Sequence, residues 1–159
     1  MAQEYFSIAL KSDISLAVPL ANIGKIIQPE TRNICLVPGV SSFWYGVINF
    51  KGSLLWILDS DRYFDLAHTS QNVPFKKLLS IVIKQYREDE VKQVAIVTPK
   101  LEGIVVIEPS QLEPITNGSL SNLANCCSHI VIDRNKKTYI LNPAVLLEQL
   151  HKQSSMLSV

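Results

Sequence analysis

The 159-residue chain is short of most features that mark specialised chemistry. Charged side chains make up 18% of it and balance to a formal +1, so no net field would hold nucleic acid or an anionic membrane. Its apolar runs are a few residues long, far below the roughly 20 that a helix needs to cross a bilayer. Gln3, Glu4 and Ser7 interrupt the place where a secretory leader would carry an apolar stretch behind basic residues. A cytoplasmic protein is expected, with no direct insertion into a membrane. Three cysteines, Cys35, Cys126 and Cys127, are an odd count without a disulfide framework, which leaves reduced thiols as the simplest state. No nucleophile elbow, Gly-rich phosphate loop, HExxH or paired CxxC is present.

Apolar residues, by contrast, reach 47%, enough for a core in one folding unit or in two small barrels too interdependent to fold apart. Residues 36–64 organise the rest. Pro38 and Gly39 suit the centre of a type II turn, since proline presets the first backbone angle and glycine tolerates the positive one that follows. Residues 44–50 are mostly aromatic and β-branched, Gly46 lets another backbone approach, and Gly52 closes a short loop after Asn49, Phe50 and Lys51. That is a hairpin. The return strand, 54–58, is apolar throughout and is expected to be covered on both faces. Asp59 stands where an N-cap would, ahead of a short helix through Arg62, Tyr63 and Phe64.

On either side of this stretch the chain reads as short strands punctuated by Pro, Gly and polar turns. Residues 5–10 and 14–18 form a hairpin around Lys11, Ser12 and Asp13. From Leu20 to Ile27 the apolar spacing fits a helix by arithmetic, but Gly24 and the flanking Pro19 and Pro29 favour a bent strand or irregular segment. A polar connection at 65–74, with His68 to Asn72, is expected to mark the midpoint of two lobes. Strands follow at 78–83, 91–98 and 104–107, then a helical turn at 110–113 and a long polar loop over 114–128. A last hairpin spans 129–141, and Asn142 before Pro143 starts a helix to Gln153 that is expected to bury Val145, Leu146 and Leu150. Residues 154–159 form a frayed tail. About nine strands and one convincing helix predict a mainly β chain of two five-stranded barrels.

Candidate chemistry is thin. Asp59 and Asp61 tempt a paired-carboxylate or metal reading, which an N-cap and a solvated first-turn acid explain through the helix dipole. Cys126, Cys127 and His129 invite zinc or thiol catalysis, yet adjacent cysteines rarely both reach one ion and closed zinc sites want four ligands. No catalytic residue, metal ligand or cofactor is therefore assigned. A protein-binding surface, in contrast, needs exposed apolar anchors with a polar rim, and Phe43, Trp44, Tyr45 and Phe50 are the candidates. Trp56, between Leu55 and Ile57, reads as core.

The stretch VPGVSSFWYGVINFKGSLLWILDSDRYF, from Val37, resembles the central signature of CheW-like domains. Agreement continues at 5–10, 16–27, 93–107 and 139–147, in the family's order. The resemblance implies two packed five-stranded SH3-like β-barrels with a C-terminal helix, in a single domain over 1–153. A first lobe at roughly 14–70 and a second at roughly 75–141 would be intertwined by the terminal segments. It also implies a non-enzymatic adaptor coupling the cytoplasmic tip of a chemoreceptor to a CheA-type histidine kinase in chemotaxis, phototaxis or twitching. Such a protein works in the cytoplasm, recruited to membrane-associated receptor arrays. With no kinase or receiver segment alongside, the free adaptor is expected. Receptor-contacting positions map onto Ile23, Lys25, Asn49, Phe50 and Lys51, and kinase-contacting positions onto Val40, Phe43 and Trp44.

Some positions depart from the family pattern. Lys25 stands where an acid is common, Lys51 replaces arginine and so loses its planar fork, and His129 replaces glycine. These departures, with the Cys126–His129 cluster, leave a second reading open: a CheW-fold barrel turned to binding a small ligand or metal, or to a small enzymatic role. A CheW-like subunit of a type IV pilus control system is a third.

Overall fold

The computed structural model describes residues 1–11, 13–66, 77–115 and 121–153. Strands β1 (Gln3–Ala9) and β2 (Ile14–Pro19) pair as the first hairpin, closed where Leu10 N–H donates to Ile14 O at 2.7 Å. Behind Pro19 the chain turns once, over Leu20–Asn22, and enters β3 (Ile23–Ile27). The organising hairpin is β4 (Trp44–Phe50) and β5 (Ser53–Leu58), antiparallel along their whole length. Asp59 caps helix α1 (Ser60–Tyr63), its Oδ1 accepting from Arg62 N–H at 3.3 Å. Strands β6 (Ser80–Arg87), β7 (Glu90–Val97) and β8 (Lys100–Ile107) follow, then β9 (Glu113–Pro114), helix α2 (Asn122–Asn125), β10 (Cys127–Asp133) and β11 (Lys136–Leu141). Helix α3 (Pro143–Gln153) closes the chain, with Val145 N–H donating to Asn142 Oδ1 as the Asn-Pro pair predicts.

The expected polar loop over 114–128 is corrected by three contacts. Pro114 pairs with His129, Ser121 Oγ caps α2 through Ala124 N–H at 3.2 Å, and β10 starts at Cys127. Ser and Asn cap helices as readily as they fill loops, and the buried Leu123 and Cys126 tie this short helix to the core. The connection around His68–Asn72, residues 116–120 and the tail at 154–159 lie outside the described residues.

Strands assort into two mixed sheets, of six strands in the order β8-β1-β2-β11-β10-β9 and of five in the order β3-β6-β7-β5-β4. Sheet membership does not follow the halves of the chain: β2 lies in the sheet with β10 and β11, whereas β6 and β7 join β3, β4 and β5. Both sheets curl, for a reason visible in their connections. From the end of β8 to the start of β9, one edge to the other, the chain has residues 108–112, with a reach of about 20 Å at most. A flat six-stranded sheet would be about 24 Å across. In the other sheet the segment after β3 crosses to the far edge, where Cys35 and Val47 exchange backbone hydrogen bonds at 2.8 and 3.0 Å.

Curling gives each sheet a small core of its own and leaves a larger one between them. Leu55, Ile57, Val82 and Ala95 fill the five-stranded side, and Tyr5, Ala17, Ile107 and Ile140 the six-stranded side. The central core draws Leu58, Ile81, Ile83, Val94 and Ile96 from one sheet, Ile8, Leu16, Val18 and Leu141 from the other, and Leu146, Leu147 and Leu150 from α3. Successive residues of a strand thus point into different cores. This is why the strands read as apolar runs rather than alternating ones. The return strand of the organising hairpin is doubly covered only at Leu55, Ile57 and Leu58, and Leu54 at its outer end is 69% exposed.

Candidate functional site

Close backbone approach fixes the organising hairpin. A Cβ at Gly46, whose φ is +138°, would stand 2.3 Å from Cys35 O, so only glycine lets the crossing segment lie on β4. At the base, burial, the Asp59 and Asp61 charges and a hydrogen bond to Asp59 together push the Tyr45 phenol up to about 12. At the tip, Asn49 Oδ1 accepts from Gly52 N–H at 3.1 Å and Lys51 takes a left-handed φ of 52°. That turn throws Lys51 outward, with its Nζ 5.4 Å from the centre of the Phe50 ring. Phe50 is half-buried, seated on the core of its sheet.

The residues expected to meet a receptor are partly brought together. Lys25, exposed on the edge strand β3, interacts with Lys51 at the tip of the hairpin that forms the other edge of the same sheet. Lys51 is held below the ordinary lysine value, first by a hydrogen bond with the Lys25 amine, then by the Lys25 charge, slight desolvation and the Lys84 charge. Phe50 lies in the same group. Asn49 is exposed but spends its side-chain oxygen on the turn, and Ile23 pairs with Ile83 and packs toward the central core. Lys84, on β6, belongs to this surface and was not singled out in the sequence, because nothing in the chain order shows β3 and β6 as neighbours.

At the other end of β4, about 20 Å away by strand length, stand the residues expected to meet a kinase. Phe43 packs edge-on against Tyr63 at 5.0 Å and joins the central core, and Val40 is half-buried in the preceding loop. Trp44 leans on Trp56 at 5.2 Å. Together they wall an open groove of about 220 Å³, completed by Val94 and by Leu147, Leu150 and His151 of α3. Trp56 therefore lines a surface groove as well as covering the strand behind it.

The thiol cluster is built differently from a reactive site. Cys126 is fully buried, and the Cys127 thiol is pushed well up by its hydrogen bond to Cys126, by burial and by the Cys126 charge. A thiol held protonated is a poor nucleophile and a poor metal ligand. His129 is exposed on β10. Among the described residues no group of three or more His, Cys, Asp or Glu is placed to hold a metal ion, and no helix is long and apolar enough to cross a membrane.

Comparison with known proteins agrees with this architecture. Curated proteins include no sequence match to the chain. Among solved structures, the scaffolding protein TtCheW from Thermoanaerobacter tengcongensis superposes with a TM-score of 0.69 at 13% identity, covering 89% of this chain and 90% of that one. The fold is shared almost end to end although few side chains are. A profile of the CheW-like domain matches residues 4–151, nearly the whole chain, and the protein belongs to that family.

Proposed function

We infer that the chain is a non-enzymatic adaptor that couples a chemoreceptor-type sensor to a CheA-type histidine kinase in chemotaxis, phototaxis or twitching. The observation that carries this reading is the family match over residues 4–151 on a fold that presents two separate surfaces from one hairpin. The tip, with Lys25, Phe50 and Lys51, is the sensor side, and the groove walled by Trp44 and Trp56 is the kinase side. Opposite ends of one strand suit a part that holds two partners at fixed separation. Recruitment to receptor arrays would follow from binding, since the work is positional and makes no bond.

Co-sedimentation tests it. A purified receptor signalling fragment and the regulatory domain of a CheA-type kinase should enter one complex only when the chain is added. Phe50→Ala with Lys51→Glu should weaken the receptor arm alone. Trp44→Ala should weaken the kinase arm by about 2 kcal/mol, roughly thirtyfold. Absence of association with either partner well above micromolar concentration would overturn the reading.

A further inference from the structure

We propose that Lys25, Lys51 and Lys84 form one cationic site that takes an acidic segment of the partner protein, with Phe50 as its apolar floor. This rests on the adaptor reading and gives the chemistry of the partner at the hairpin tip. Lys84 runs past Gly24, which leaves its stem room: a Cβ there would stand 2.8 Å from Lys84 Cε and 3.2 Å from Val82 Cγ1. Its stem therefore crosses β3 next to Lys25, and the register shift between Ile23 and Ile26 bulges that strand at this point. Asn22 steadies the same stretch of β6, its Nδ2 donating to Lys84 O at 2.8 Å and to Gln85 Oε1 at 3.0 Å. Lys51 arrives from the opposite edge of the sheet on its left-handed turn.

Three amines converge, and among the described residues no carboxylate pairs with them. Among the described residues every ion pair lies elsewhere, and residues 12, 67–76, 116–120 and 154–159 contain no Asp or Glu at all. Gathered like charges repel until an anion docks, so the site favours a partner that brings the missing charge. A lone lysine on an edge strand would be explained by keeping other strands off that edge. That task would not lay Lys84 over Gly24 or bring Lys51 across from the far edge. The occupant is a protein segment: with a formal charge of +1 the chain has no extended field for a polyanion, and an aromatic ring beneath the Lys51 amine, with Lys25 and Lys84 beside that amine, fits one apolar side chain flanked by carboxylates.

The test uses the whole chain and a labelled helical peptide carrying one leucine with glutamates three and four residues away, read by fluorescence anisotropy at low and physiological salt. Binding that weakens with salt is expected, and the peptide with glutamine in place of glutamate should bind about tenfold more weakly or worse. Lys25→Gln and Lys84→Gln should each lose several-fold, whereas Lys84→Arg, which keeps the charge, should restore binding. Equal binding of the glutamine peptide, indifference to all three lysines, or an equal response to anionic vesicles or a single-stranded oligonucleotide would overturn the proposal. The two readings fail separately. A receptor–kinase complex that forms with the chain and survives Lys25→Gln, Lys51→Gln and Lys84→Gln together removes the cationic site and keeps the adaptor. Peptide binding without any such complex does the reverse.

Discussion

Two single residues do most to place the candidate surface, and they do it by opposite means. Gly46 is required by what presses on it: both a positive φ and the Cys35 carbonyl exclude a side chain. Gly46→Ala is expected to destabilise the fold by about 3 kcal/mol, read as a shift in the urea midpoint, because the crossing segment must move or the strand must twist. A shift of a few tenths would mean that the segment from β3 to β4 is held by something else. Lys51 instead occupies a left-handed position, at φ 52°, that costs any side chain. Its tolerance of that cost at an exposed tip is what a residue kept for contact would show. The importance of Gly46 was legible in the sequence, as a glycine inside an aromatic strand. Its partner was not, since Cys35 lies in a segment with no strand pattern of its own.

At the scale of elements, the six-stranded sheet is pinned by a carboxylate that no motif announces. The bulge between β1 and β8 falls between Ser7 and Ile8, opposite Gly103 and Leu101, and frees Glu102 to turn inward. Its Oε1 accepts from Ser7 Oγ and Ser15 Oγ, both at 2.7 Å, and its Oε2 from Lys136 Nζ at 2.9 Å, so one side chain ties β8 to β1, β2 and β11. Burial pushes the Glu102 carboxyl up, but the Ser15, Ser7 and Lys136 hydrogen bonds with the Lys136 charge outweigh it and hold the group below its ordinary 4.5. A depressed carboxylate contributes stability that is complete above its unfolded value and disappears as pH falls through the folded one. Stability is therefore expected to fall on acidification below about 4.5, and Glu102→Gln should flatten that limb of the pH profile in chemical denaturation. An unchanged acid limb would assign the dependence to other carboxylates. Helices α1 and α3 were easier to foresee than this clasp: Asp59, and Asn142 with Pro143, carry start signals readable from neighbouring residues alone, whereas the Glu102 contacts span up to 95 positions in sequence.

For the whole molecule, the decisive feature is that the largest core belongs to neither sheet. Leu58, Ile83 and Ile96 meet Ile8, Leu16 and Leu141 there, under the leucines of α3, so neither sheet can be removed without exposing the other. Unfolding is expected as one transition. The two tryptophans, both on the β4–β5 hairpin, report on the five-stranded sheet, while far-UV circular dichroism reports on both sheets. Their denaturation curves should coincide, and Leu58→Ala should shift both by the same amount, about 3 to 4 kcal/mol. Separated curves would mean that the sheets are independent.

Read alone, the order of residues was enough for everything that neighbours decide: a mainly β chain, the hairpins at 5–18 and 44–58, the caps at Asp59 and Asn142, and a family signature spread over most of the chain. Backbone propensity, turn chemistry and capping act over a few residues, so a string of letters carries them. Tertiary structure alone decided how strands assort between sheets, which face of each strand meets which core, and that three lysines from β3, a turn and β6 share one surface. Those outcomes depend on where a curled sheet returns its far edge, and the geometry of closure is set by the packing of the whole chain rather than by any stretch of it.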